Sequence, residues 1–316
     1  MSKQLISFVL PIYNEEGNIN PLWQQMLGLQ SQLSQYNCEF IFVNDGSSDS
    51  SLPILVNLYE QYSDCIRVVN FSRNHGHQIA VTAGQDIAQG DAIIIMDTDL
   101  QDPPETCLDL INKWQEGTDI VYAQRNHYKT NFVKEKSAWL FYRILKSIAS
   151  VDIPVDTGDF RLISKRVNDE MKKYPEKARY LRGISSLIGY KQDCVKFNRK
   201  DRLNGNTGYT FVKSLKLAID GITGFSVFPL QLISIMGTLF ALFGFGFGTI
   251  YIVFSLFSGR HADGWASLMF MILFMGGIQM VMLGLIGEYL GRVYVQVLDR
   301  PLYTVDKIWR SDEIRR

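Results

Sequence analysis

The sequence predicts an α/β domain built on a doubly wound, mainly parallel sheet, followed by two membrane-crossing helices. Three observations point there. Short β-rich runs alternate with helix-length segments over the first hundred residues. A polar cluster ends each run, and two long stretches near the C-terminus carry no charge.

The elements follow in order. LISFVLPIY (5–13) reads as a strand, then a helix runs from about Ile19 to Gln35. EFIFVNDGSSD (39–49) holds a second strand, with a helix from about Ser51 to Tyr62. IRVVNFS (66–72) is a third, with a helix from about Gly76 to Ala88, and DAIIIMD (91–97) is a fourth. Sheets of this kind bind ligands at the carboxyl ends of their strands. There the polar clusters fall: PIYNE, NDGSSD, SRNHGH and DTDLQD. No G-x-G-x-x-G follows any strand, which argues against a dinucleotide fold of the NAD type.

The fourth cluster is the most loaded. IIIMDTDLQDPPE places Asp97, Asp99, Asp102 and Glu105 within nine residues. Clustered carboxylates raise one another's pKa and need a cation, donors or open solvent. A D-x-D pair at a strand end suits Mg²⁺ or Mn²⁺, which takes hard oxygen ligands from one or two carboxylates and completes its shell with substrate phosphates. On an extended chain Asp97 and Asp99 share a face, and Gln101 continues the series. Asp102 and Glu105 belong to the DPPE turn, where Pro104 suits a first helical position and Glu105 complements the helix dipole.

Charge is balanced, 32 basic against 32 acidic residues, so no global field argues for nucleic acid. Cys38, Cys65, Cys107 and Cys194 lack C-x-x-C spacing and read as reduced thiols. His75 and His77 lack the i, i+4 geometry of a helical metal pair. They are given no metal role.

From Gly221 to Gly259 there are 39 residues without Asp, Glu, Lys or Arg, and from Gly264 to Gly287 there are 24 more. About 20 apolar residues suffice to cross a bilayer, so spans are expected at roughly 228–257 and 266–290. Lys196, Arg199, Lys200, Arg202, Lys213 and Lys216 precede them; Arg292, Arg300, Lys307 and Arg310 follow. The hairpin tip holds Arg260 and Asp263. Positive-inside logic puts both flanks in the cytoplasm. The opening MSKQLISFVLPIYNE has an apolar run too short for a signal peptide and no small-residue cleavage site, so secretion is not expected. Phe132 to Val151 and the Phe211, Leu215, Ala218, Ile222 stripe read as basic amphipathic helices at a lipid surface. Gly244 and Gly248, like Gly287 and Gly291, suit close helix approach. The expected domains are residues 1–205, an interfacial helix at 206–227, a two-helix hairpin at 228–298 and a cytoplasmic tail at 299–316.

PIYNE (11–15), NDGSSD (44–49), FSRNHGHQIA (71–80), MDTDLQDPPE (96–105), TGDFRLI (157–163) and RLNGNTGY (202–209), followed by two spans, resemble the membrane-anchored polyprenyl-phosphate glycosyltransferases of the GT-A, family-two type. The two-span form looks most like the bactoprenol glucosyltransferases. The resemblance implies inverting transfer of one sugar from a nucleotide diphosphate donor to a polyprenyl phosphate at the cytoplasmic membrane face. It implies that Pro11, Tyr13, Glu15 and Asp45 hold base and ribose, and that Asp97, Thr98, Asp99 and Gln101 hold metal and diphosphate. Arg125 and Arg202 match phosphate-contacting positions, suited to guanidinium forks. Asp159 matches a position near the acceptor often called the base, yet an ionised phosphate has little need of one. A role orienting Arg161, Arg202 or the metal is the alternative.

Uridine is favoured over guanosine by analogy with the two-span bacterial members; no motif specifies the sugar, and glucose is the favoured donor among glucose, mannose, N-acetylglucosamine and modified arabinose, all of which suit this architecture. Resemblance and the paired glycines favour a homo-oligomer. Where relatives read G-E-S-K-Y, this chain reads GNTGY, so Asn206 and Gly208 replace a Glu and a Lys; Arg199, Lys200 or Lys213 are the candidate substitutes. Two rival functions are a processive polysaccharide synthase, for which Q-x-x-R-W is missing, and a nucleotide-sugar sensor, which could dispense with Asp97, Asp99 and Asp159.

Overall fold

The computed structural model describes residues 3–126, 157–177, 179–198, 228–258 and 264–311. The chain divides into two units, one holding the sheet and the other the two long helices.

Among the described residues the sheet unit has eight strands in the order β7-β5-β6-β4-β1-β2-β3-β8. β1 (Leu5–Ile12), β2 (Asn37–Asn44), β3 (Ile66–Phe71) and β4 (Ala92–Ile95) are the four expected strands, and they pair with one another in parallel. Between them lie α1 (Ile19–Gln32), α2 (Ser51–Gln61) and α3 (His77–Ile87). β1 and β2 are buried at seven of eight positions each, the pattern of strands covered on both faces.

On one face α1 buries Ile19, Leu22, Trp23, Met26 and Leu29, a single stripe at helical spacing. The Trp23 ring meets Phe40 edge-on, 5.1 Å between centroids. α3 covers the other face, near Val9, Ile41 and Val43. Gly84 permits that approach: a Cβ there would lie 2.3 Å from Val9 Cγ1.

The remaining strands were not all legible. α4 (Thr106–Gln115) leads to β5 (Ile120–Arg125). β6 (Thr157–Ser164) then inserts antiparallel between β4 and β5. α5 (Lys165–Met171), α6 (Leu181–Leu187) and β7 (Gln192–Phe197) complete that side. At the opposite edge β8 (Val305–Trp309) pairs antiparallel with β3, so part of the expected tail is a sheet strand.

Winding runs outward from β1 through β2 to β3, then returns through α3 to β4 on β1's other side. The topological switch point therefore lies between β1 and β4, where such sheets open a ligand crevice. Three non-glycine residues with positive φ occur among the described residues, and two flank this crevice: Asn14 (φ 54°) after β1 and Leu100 (φ 61°) after β4. For Leu this conformation costs about 1–3 kcal/mol. Its side chain, 6% exposed, is anchored in the core, which holds the turn.

In the other unit α7 (Phe228–Ser258) and α8 (Trp265–Val297) have 31 and 33 residues. At 1.5 Å per residue each exceeds the roughly 30 Å of a hydrocarbon core. Windows at Leu230–Phe247 and Phe274–Val297 are, by length and composition, apolar enough to cross a membrane, and none of their described residues is buried. Phe245 and Phe257 are 77% and 90% exposed, an apolar surface that water does not favour. The expected amphipathic helices at 132–151 and 206–227 lie outside the described residues.

Candidate active site

The loops after β1 and β2 are stitched together. The Asn14 amide donates to Ser47 Oγ at 2.9 Å, and the Ser48 amide to Asn14 Oδ1 at 2.8 Å. The Glu15 amide donates to Ser51 Oγ at 3.0 Å, and the Ser50 amide to Glu16 Oε2 at 2.8 Å. Tyr13 projects from this platform, 50% exposed. Pro11 contributes its carbonyl, which accepts from Thr98 Oγ1 at 2.9 Å and so ties the β1 and β4 loops across the switch point.

The loop before α3 presses on the same platform. A Cβ on Gly46 would meet the Arg73 carbonyl carbon at 2.5 Å, and Gly46 has φ +64°. Only glycine meets both demands at little cost. Buried Asp45 accepts from the His75 amide at 2.6 Å and the Gly76 amide at 2.9 Å. Its carboxylate thus fixes the entry to α3.

α3 then delivers His77 and Gln78 to the acids. His77 Nε2 lies 3.5 Å from Asp97 Oδ1 and 3.2 Å from Asp159 Oδ2. Gln78 Nε2 donates to Asp159 Oδ2 at 2.8 Å, and Arg182 Nε to Asp159 Oδ1 at 3.0 Å. Arg161, two residues along β6, is fully buried beside them. Burial alone would raise the pKa of Asp159, but His77, Arg182 and Arg161 outweigh it and hold the carboxyl far below the usual range. Burial likewise works against a charged His77, yet Asp159 and Asp97 hold its pKa above the ordinary value.

Asp97 is pushed the other way. Burial raises its pKa, and repulsion from Asp159 and Asp99 adds to that, against partial relief from His77 and Arg125. Its Oδ1 is buried and accepts no hydrogen bond. A cation beside it would relieve all three costs. Asp99 Oδ1 accepts from the Gln101 amide at 3.1 Å, so Gln101 enters through its backbone. Among the described residues no three of His, Cys, Asp and Glu converge into a ready-made cage. Mg²⁺ does not require one when substrate phosphates complete its shell. Asp97 and Asp99 therefore fit such an ion.

The structure alters the expected geometry in one respect: β4 ends at Ile95, so Asp97 lies beyond the strand and Asp99 in the bend that follows, rather than both on an extended strand. Both are partly exposed while Thr98 between them is buried, so the alternation survives. Arg125 ends β5, and its Nη2 would lie 3.1 Å from a Cβ on Gly158, which brings it beside β6. Arg202 lies outside the described residues. His77, Gln78 and Arg182 join the site although sequence reasoning did not select them. The FSRNHGHQIA motif was the available signal for the first two.

The sheet opens at its switch point onto the partly exposed Asp97 and Asp99, with His77, Arg125 and Arg182 near Asp97; together with a family match over residues 7–172 this makes the chain a sugar-transferring enzyme of GT-A-like fold. The chain belongs to glycosyltransferase family 2: the model described as "Glycosyl transferase family 2" matches residues 7–172. "Uncharacterized glycosyltransferase YkcC" of Bacillus subtilis is 46% identical over 98% of this chain and 95% of its own length. "Prophage bactoprenol glucosyl transferase homolog" of Escherichia coli is 39% identical over 96% and 99%. "Bactoprenol glucosyl transferase" of Shigella phage SfII is 38% identical over 97% and 99%.

Proposed function

We propose that this glycosyltransferase transfers a single sugar, glucose from UDP-glucose, to the phosphate of a membrane polyprenol such as undecaprenyl phosphate. Transfer inverts the anomeric carbon, uses Mg²⁺ or Mn²⁺, and occurs at the cytoplasmic face of the inner membrane. The observation that carries this reading is the likeness to bactoprenol glucosyl transferases along 97% of the chain, which takes in both long apolar helices. Basic residues on both flanks of those helices favour a cytoplasmic sheet domain. The paired glycines Gly244/Gly248 and Gly287/Gly291 favour a homo-oligomer.

In this reading Pro11, Tyr13 and Glu15 form the base and ribose platform, and Asp45 shapes it through the His75–Gly76 turn. Asp97 and Asp99 would hold the metal, with Gln101 fixing the Asp99 carboxylate. When bound, the ion neutralises charge developing on the diphosphate as it leaves. Thr98 orients the carboxylate loop, and Arg125 with Arg202 supplies donors to phosphate oxygens. An acceptor phosphate oxygen attacks the anomeric carbon while the electron pair of the breaking bond departs with the nucleoside diphosphate. With a second pKa of about 6, that phosphate is ionised at neutral pH. Asp159 then serves by holding His77, Gln78 and Arg182 rather than by taking a proton.

The test uses the full chain in detergent with Mn²⁺, undecaprenyl phosphate and a panel of UDP- and GDP-sugars. Mass spectrometry should detect a polyprenyl-phosphate hexose from UDP-glucose. Product from another donor alone would replace the sugar, and a lengthening saccharide would indicate a processive synthase. Nucleotide binding without product would indicate a sensor.

A further inference from the structure

The chain leaves α8 at Val297 and returns to the sheet, where two adjacent residues meet both ends of α3. The Thr304 amide donates to His75 Nε2 at 3.3 Å, and the Thr304 carbonyl accepts from the Ser72 amide at 3.1 Å. Tyr303 stacks on Phe71, with centroids 5.1 Å apart and planes 19° from parallel. Its hydroxyl donates to Asp86 Oδ2 at 3.0 Å, in the last turn of α3. Phe71 also meets the His75 ring edge-on at 5.3 Å. β8 secures the segment further: Asn70 Nδ2 donates to Asp306 Oδ2 at 3.1 Å, beside the Val68–Trp309 and Val69–Ile308 pairs.

What these contacts hold is the entry to the site. The His75 backbone is gripped from the other side by Asp45, Gly76 turns the chain at φ 99°, and His77 opens α3. His77 and Gln78 then meet Asp97 and Asp159. Accepting from Thr304 requires a bare Nε2, and burial together with Arg73 keeps the His75 pKa below its ordinary value. The loop between β3 and α3 is thus clamped between an acid of β2's end and the chain that follows α8. A loop with such short elements would otherwise be among the first to open locally.

We propose that the Tyr303–Thr304 dipeptide and His75 form a positioning clamp for the transferase site, fixing the first turn of α3 so that His77 and Gln78 engage the two carboxylates. The chain after the second long apolar helix is then a working part of the site. The clamp rests on the transferase reading for its consequence in turnover, though not for its effect on α3.

Three variants of the full chain in detergent test it, read by amide hydrogen exchange and by turnover. His75→Phe keeps a ring against Phe71 and loses the acceptor; His75→Gln keeps an acceptor of similar reach; Tyr303→Phe keeps the stack and loses the bond to Asp86. Loss of one hydrogen bond of this kind predicts exchange about 5-fold faster over residues 72–80 in His75→Phe. Rates in β1 and β2 should stay unchanged, and His75→Gln should exchange near the wild-type rate. Tyr303→Phe should speed exchange in the last turn of α3. With UDP-glucose and undecaprenyl phosphate, His75→Phe should lower kcat about 5-fold with the donor KM within about twofold, and His75→Gln should restore it.

Unchanged exchange at 72–80 in His75→Phe overturns the clamp, as does equal acceleration throughout the sheet. Faster local exchange with wild-type kcat overturns its role in the site. A wild-type protein inactive with every donor contradicts the proposed function instead, and the exchange measurements still decide whether the clamp exists.

Discussion

Arg182 Nε donates to Asp159 Oδ1 at 3.0 Å while its Nη1 donates to the Thr157 carbonyl at 2.9 Å, so one guanidinium binds both the side chain and the strand of the site's third acid. A carboxylate held this way, with its pKa far below the usual range, is a poor proton acceptor at neutral pH. In the proposed mechanism it therefore serves as an anchor.

The anchor role fixes what Asp159→Asn should do. The variant should lose turnover, because His77, Gln78 and Arg182 lose a charged partner. The shape of its pH–rate profile between about pH 6 and 8 should nevertheless match the wild type. An acid limb present in the wild type and missing in Asp159→Asn would restore the general-base role.

The same pair sets a sign for stability against pH. Asp159 has a folded pKa below its unfolded value of about 3.9, so its stabilisation is fully present above that value and is lost as pH falls through the folded pKa. Arg182→Ala removes a lowering influence and should move acid unfolding to higher pH. It should cost about 2 kcal/mol at pH 7, less than a fully buried pair, because Arg182 is 31% exposed. Acid unfolding curves that coincide for wild type and Arg182→Ala would contradict this.

Metal linkage should be visible without turnover. A metal and nucleotide that bind only the folded state raise its Tm, by about 2.7 kcal/mol in stability at a concentration 100 times Kd. Mn²⁺ with UDP should therefore raise the Tm of the wild type and EDTA should reverse it. Asp97→Asn and Asp99→Asn should show neither effect. An equal rise in either variant would place the ion elsewhere.

Packing beneath the site gives a further test. Gly84→Ala puts a Cβ against Val9 Cγ1 and should cost about 1–3 kcal/mol through overpacking. The cost should be smaller when Val9→Ala is present, a non-additivity expected of touching residues. Strict additivity of the two thermal shifts would refute the contact.

The β1-to-β4 order was legible because each strand is a near-continuous apolar run ended by a polar cluster, and the position of the switch-point crevice follows from it. Asp97 and Asp99 were legible for the same reason. Their companions were not: His77 precedes Asp159 by 82 positions, and Arg182 follows it by 23 on a separate helix. Sequence pattern does not report a meeting made by an antiparallel strand inserted between β4 and β5. β8 was not legible because VDKIW is short and has no buried position, the ordinary character of an edge strand.

The proposed function rests most heavily on Asp97 and Asp99 forming a metal-diphosphate site for sugar transfer to a lipid phosphate. The most direct measurement is the rate of polyprenyl-phosphate glucose formation from UDP-glucose, followed by mass spectrometry for wild type and Asp99→Asn, in EDTA and after Mn²⁺ is restored. Product is expected only from wild type with metal, with a loss of at least about 100-fold otherwise. Comparable product in EDTA, or from Asp99→Asn, would contradict it.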